Sequence, residues 1–210
     1  MGQVPRLADT AVRTLLVERA ADLLARREPV SLRGLVAGTG ASTMAVYTHF
    51  GGMPGLWRAV RQEGFTRLGA RLAGVSAGDD PVRDLAALSA AYTAHALEHP
   101  TLYRAMFDAA ADLEDPAAAG RGLELLVDAA GRARDAGRFA ADRDPAALAT
   151  RLWASGHGLV LLVIGGVLPR AELDVQAPAV VLDLCLAAGD DPARAAASVR
   201  RGWDEGTTRG

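Results

Sequence analysis

Lysine is missing from this sequence: all 23 basic side chains among its 210 residues are arginine. The codon bias of a GC-rich genome accounts for that without any special arginine chemistry. A single cysteine, Cys185, excludes an internal disulfide and fits a reducing cytoplasm. Aromatic residues make up only 5% of the chain and runs of β-branched residues are few, so sheet structure has little to build on. No polar–apolar alternation is long enough for a strand, and neither an internal repeat nor a low-complexity linker is evident. The opening "MGQVPRLADT" has no apolar core of signal-peptide length, which agrees with a cytoplasmic location.

What remains is alanine and leucine, both strong helix formers. Half of the chain is hydrophobic and 23% is charged, a balance that suits a soluble, globular, all-α protein. The net charge of -2 conceals an asymmetry. Residues 1–71 hold 10 Arg against 5 acidic residues, whereas residues 72–210 hold 13 against 20. A basic head on an acidic body points to a polyanion meeting the head alone.

The apolar spacing of Val12, Leu15, Leu16, Ala20, Leu23 and Leu24 predicts an amphipathic helix over 11–27. Ser31 is placed to cap a short helix in "SLRGLVAG", and Gly40 to take the positive φ of a sharp turn. Ser42 is placed to cap a third helix through about Thr48, and Pro54 suits the first turn of a fourth. Further helical blocks are expected near 82–98, 101–112, 117–137, 145–167, 178–188 and 192–203. The breaks between them fall at Pro100, Pro116, Pro145, Pro169, Pro178 and Pro192.

Two short helices joined by a glycine turn are the helix-turn-helix plan, whose second helix enters the DNA major groove. Here that helix is "STMAVYTH". Val46 is expected to point inward. Thr43, Met44 and Ala45 are the candidates for base edges, with the thymine methyl as their natural target. Arg33 on the preceding helix is a base or phosphate candidate. Ser31, Ser42, Tyr47, Thr48 and His49 are phosphate candidates. The plainer alternatives are that both serines are only caps and that Tyr47 only packs.

The stretch "SLRGLVAGTGASTMAVYTHFGGMPGLWRAV" resembles the signature of the tetracycline-repressor (TetR) family of transcriptional regulators. Ser31, Gly40, Ser42, Val46, Tyr47, His49, Phe50 and Leu56 match it at the right spacing. "EHPTLYRAMFD" and "LWASGHGLVLL" resemble the C-terminal domain of one subgroup, marked here by Trp153, His157 and Gly158. The resemblance implies a ligand-responsive repressor and homodimer. Residues 1–72 would bind double-stranded DNA at a near-palindromic operator; residues 80–205 would bind a small molecule and dimerise. One departure is Met53, where the family usually has a phosphate-contacting lysine. It supports the alternative of a helical ligand-binding or interaction protein that no longer binds DNA.

Ligand-site candidates are Tyr92, Tyr103, Met106, Phe107, Trp153 and His157, which offer apolar and weakly polar surface for a cavity. Plain helix packing is the simpler role for each, and a hydrogen-bonded core histidine the simpler role for His157. Residues 152–169 hold no Asp, Glu, Lys or Arg. At 18 residues this run touches the lower limit of a membrane span. His157 and four glycines favour instead a fully buried helix between a pocket and a second subunit. Enzyme signatures are missing: "GTGAS" lacks the spacing of a phosphate loop, and no nucleophile elbow surrounds Ser155. His95 and His99 have metal-competent spacing, but Glu98 is the only adjacent ligand. No metal or cofactor is implied.

Overall fold

The computed structural model describes residues 4–26, 28–108 and 112–208. All regular structure among them is helical. The helices are α1 (Val4–Ala25), α2 (Leu32–Val36), α3 (Thr43–Phe50), α4 (Met53–Ala73), α5 (Pro81–Glu98), α6 (Pro100–Asp108), α7 (Arg121–Asp135), α8 (Pro145–Ile164), α9 (Arg170–Ala188) and α10 (Pro192–Thr208), with a 3-10 turn at Pro116–Ala119. Two compact units emerge: Met1–Arg67 with His99–Ala119, and Leu68–Glu98 with Gly120–Gly210.

In the first unit, Leu16, Ala20 and Leu23 of α1 meet Leu35, Val46, Leu56 and Val60 in a core sealed from water. α3 and α4 meet through Gly55, where a Cβ would overlap the carbonyl oxygen of Phe50. Only glycine permits that approach. α6 contributes Leu102, Tyr103 and Met106, all buried. Met106 lies over Gly64 of α4, where a Cβ would stand 2.5 Å from its Cγ. The anticipated helix over 101–112 ends at Asp108, and residues 109–111 lie outside the described chain. Arg27, the expected end of the first helix, also lies outside it.

In the second unit α5 is the central element, with thirteen of its residues buried. α10 lies against it through Gly202 and Gly206, where added Cβ atoms would overlap the carbonyl oxygens of Arg83 and Ala87. The expected block over 117–137 is the 3-10 turn followed by α7.

Two expectations are corrected here. Pro178 does not break the chain: it sits inside α9. Leu173, Ala177, Val181 and Cys185 form one buried stripe along that helix. Their burial outweighs the hydrogen bond that proline removes, an interior cost of about 3 kcal/mol. Nor is α8 fully buried. Leu148, Ala149, Leu152 and Val160 are, but Leu161, Leu162 and Val167 are exposed, as is Val175 of α9. Sequence shows that a helix is uncharged all round; it does not show how much of it the chain's own elements cover. By length and composition α8 alone among the described helices could cross a membrane, but it packs with α5, α7 and α9.

A buried ionic knot closes the second unit. Arg138 donates from Nε and Nη2 to the two carboxylate oxygens of Asp190 at 2.7 and 2.6 Å, both side chains being 1% exposed. Its Nη1 donates to Asp80 at 2.8 Å. Ser198 and Arg201 donate to the other Asp80 oxygen at 2.7 and 2.6 Å. Cys185 lies close by; burial and the neighbouring Asp190 push its thiol up to about 12.

Candidate functional site

The first candidate site is the surface of α2 and α3. Ser31 caps α2, its Oγ accepting from the Gly34 N–H at 3.2 Å. Thr39 stitches the turn that follows: its hydroxyl donates to the Val36 carbonyl at 2.9 Å and accepts from the Ala41 N–H at 3.2 Å. Gly38 and Gly40 take φ values of 74° and 73°, a region where L side chains are strained. The sequence reading found the glycine but missed Thr39, whose spacing two residues before Ala41 is a short Ser/Thr turn signal.

α3 behaves as expected in its inward residue and differently at its start. Val46 is fully buried. Ser42 occupies the N-cap position with extended backbone but makes no side-chain capping bond, which corrects the expectation that it caps. Its hydroxyl lies on the exposed surface instead. Met44 is 65% exposed and Tyr47 51%, an unusual pair of large side chains to leave in water. Thr48 is exposed and donates to the Met44 carbonyl at 3.0 Å. Thr43, Ala45 and His49 are half-buried, and Arg33 of α2 is exposed. The helix closes on Gly51 at φ 69°, and the Tyr47 ring lies 3.6 Å from where a Gly52 Cβ would be. Arg13 stands over the Phe50 ring, 5.4 Å from its centroid.

The basic head of the linear sequence is largely neutralised in the folded unit. Asp112 accepts from Arg58 Nε at 2.7 Å and also pairs with Arg61. Arg13 pairs with Glu114 and Arg67 with Glu63. The hydrogen bond from Arg58 leads the causes that hold the Asp112 carboxyl below its ordinary value. Across this unit 10 arginines face 9 acidic residues. Arg33, exposed on α2, forms no ion pair among the described residues.

The second candidate site joins α5 and α8. Trp153 Nε1–H donates to Tyr92 Oη at 3.2 Å. That oxygen lies 3.1 Å from His157 Nδ1. The indole and imidazole centroids are 6.0 Å apart. Burial lowers the His157 pKa, so the imidazole is neutral at pH 7. Gly156 and Gly158, on either side of it, border open space. Tyr92, Trp153 and His157 thus come together. Tyr103, Met106 and Phe107 belong to the first unit, where Phe107 packs against Tyr103 and Phe65 at centroid distances of 4.9 and 5.3 Å.

Residues 85–183, the segment that contains this polar chain, match the tetracyclin repressor-like C-terminal domain. This segment is tetracyclin repressor-like. The fold of the chain is shared with a Rhodococcus sp. RHA1 protein of unknown function (28% identity, covering 85% of this chain and 96% of that one, TM-score 0.73). RolR in complex with resorcinol is similar as well (20% identity, 93% and 96% coverage, TM-score 0.63). So is SmeT, the repressor of the Stenotrophomonas maltophilia multidrug efflux pump SmeDEF (21% identity, 83% and 89% coverage, TM-score 0.60). No curated protein matches the sequence. α2 and α3 form the glycine-hinged helix pair, and α5 lies largely and α8 wholly within the matched segment.

Proposed function

We propose that this protein is a TetR-type regulator, a cytoplasmic homodimeric repressor. Its two α3 helices read a near-palindromic operator, and a small molecule bound at Tyr92, Trp153 and His157 releases it. The observation that supports this best is the exposure of Met44 and Tyr47 on a short helix anchored by Val46. Side chains of this size facing water on a glycine-hinged helix suit a groove and its phosphates. Thr43, Met44 and Ala45 face base edges, with Arg33 beside them. Ser31, Ser42, Tyr47, Thr48 and His49 hold phosphates, Ser31 while still capping α2. The exposed Leu161 and Leu162 of α8, Val167 just beyond it and Val175 of α9 support pairing of two copies through these helices. RolR with resorcinol and SmeT as a repressor support the ligand response and its direction.

A gel shift with DNA from upstream of the protein's own gene, run across ionic strengths, tests the reading. Binding is expected at low salt and weakens as salt rises. A protein that retards no duplex at low ionic strength overturns it. The near-neutral first unit, together with Met53, favours a second reading in which the fold survives as a ligand-binding protein without DNA. The same experiment decides between them.

A further inference from the structure

The chemical class of the ligand can be read from what surrounds the Tyr92 hydroxyl. α5 carries no Asp, Glu, Lys or Arg from Leu85 to Leu97, and the same holds from Leu152 to Pro169 along α8 and beyond. The two uncharged stretches meet at the Trp153–Tyr92–His157 chain. Ionised groups at the ends of the α5 stretch are engaged elsewhere: Asp84 with Arg83 and Arg132 at 2.7 and 2.9 Å, and Glu98 with Arg71 at 2.7 Å. The faces that α7 and α9 bury are Leu126, Ala129, Ala130 and Ala133, and Leu173, Ala177 and Val181. A carboxylate or ammonium placed beside Tyr92 would give up part of its hydration and meet no counter-charge on these described faces. A hydroxyl or carbonyl gives up far less and finds partners of matching strength in the Tyr92 phenol and an imidazole that burial keeps neutral.

We infer that the ligand of this site is uncharged at neutral pH and presents a hydroxyl or carbonyl oxygen to Tyr92 and His157 from a compact hydrocarbon body. The inference rests on the ligand site being at Tyr92, Trp153 and His157, as proposed above. Tyr92 is the specificity-determining residue, because it alone touches both other polar groups of the chain. Trp153 supplies the reporter, since its indole N–H is the donor to Tyr92.

The test uses three molecules that share one ring and differ in charge: benzyl alcohol, benzoate and benzylammonium, each titrated into the full chain at pH 7. The readout is the Trp153 indole N–H resonance, assigned by its loss in Trp153→Phe. Benzyl alcohol is expected to shift this resonance to saturation, with the two ions binding at least about tenfold more weakly. Tyr92→Phe, folded by circular dichroism, is expected to weaken benzyl alcohol about three- to tenfold. Tighter binding of benzoate or benzylammonium at this resonance overturns the inferred class and leaves the site in place. Unchanged binding by folded Tyr92→Phe overturns the role of Tyr92. If none of the three moves the resonance, the placement of the site fails and the inference with it.

Discussion

Gly55 faces the carbonyl oxygen of Phe50 so closely that a Cβ at position 55 would overlap it. Gly69 lies on the same helix, with nothing within 4 Å of its added Cβ. The two glycines of α4 therefore respond to the same substitution with opposite signs. Gly55→Ala pushes α3 from α4 and costs about 3 kcal/mol of stability, with loss of DNA binding. Gly69→Ala stabilises by up to about 1 kcal/mol, because alanine gives up less backbone freedom in a helix. Urea unfolding of both variants checks the pair.

The proposed contacts of α3 divide into phosphate and base contacts. Tyr47→Phe and His49→Ala are expected to weaken binding to all operator sequences alike, by about 1 kcal/mol each, as lost phosphate contacts do. Met44→Ala changes the base preference instead. Competition between operator variants at fixed salt separates the outcomes. A change of base preference in Tyr47→Phe alone would remove Tyr47 from the phosphate contacts.

The Arg138–Asp190 pair is 1% exposed on both sides, so removing one partner strands the other charge. Arg138→Met is expected to cost about 3–5 kcal/mol. Arg138→Met combined with Asp190→Leu recovers a large part of that loss, since an apolar pair needs no counter-ion. Thermal and denaturant unfolding of the single and double variants measure the coupling.

Burial pushes the Asp80 carboxyl up, but the hydrogen bonds from Ser198 and the Arg83 N–H and the charge of Arg138 outweigh it and hold the group below its ordinary value. A carboxyl with a depressed folded-state pKa contributes stability above its unfolded pKa and loses it as pH falls through the folded one. As far as Asp80 is concerned, stability is flat from neutral pH to about 5 and drops below about pH 4. Asp80→Asn is expected to lower stability at pH 7 and flatten the acid limb of a stability–pH curve.

Leu162 is 41% exposed on the apolar face of α8. Leu162→Glu is expected to turn a dimer into a monomer in sedimentation and to weaken operator binding by at least about tenfold, because two half-sites then need two separate binding events. A wild-type protein that sediments as a monomer at micromolar concentration would count against the dimer.

Local signals were legible in the sequence where one residue decides the geometry. Gly40 gave the turn, Val46 the inward face of α3, and Pro145 the start of α8. Signals that depend on distant partners were not. Asp112 and Glu114 lie far along the chain from the arginines they neutralise, so linear charge counting overstated the head's basicity. Arg138 and Asp190 are 52 residues apart, and nothing local to either marks a buried pair. Pro178 reads as a break because propensity is local, whereas the stripe from Leu173 to Cys185 that overrides it is tertiary. Tyr103, Met106 and Phe107 look like pocket residues by type, and their place in the same unit as α1 to α3 is a tertiary fact that residue type does not carry.

The inertness of Cys185 has a practical use. Its sulfur is sealed in α9 and its thiol is pushed up to about 12, so at neutral pH it offers almost no thiolate to maleimides or nitroxide reagents. A cysteine introduced on the exposed surface of α1, at Asp22 for example, would be the chain's one reactive thiol. Spin or dye labels there could then follow the first unit, as operator and ligand are added, without first removing a native residue.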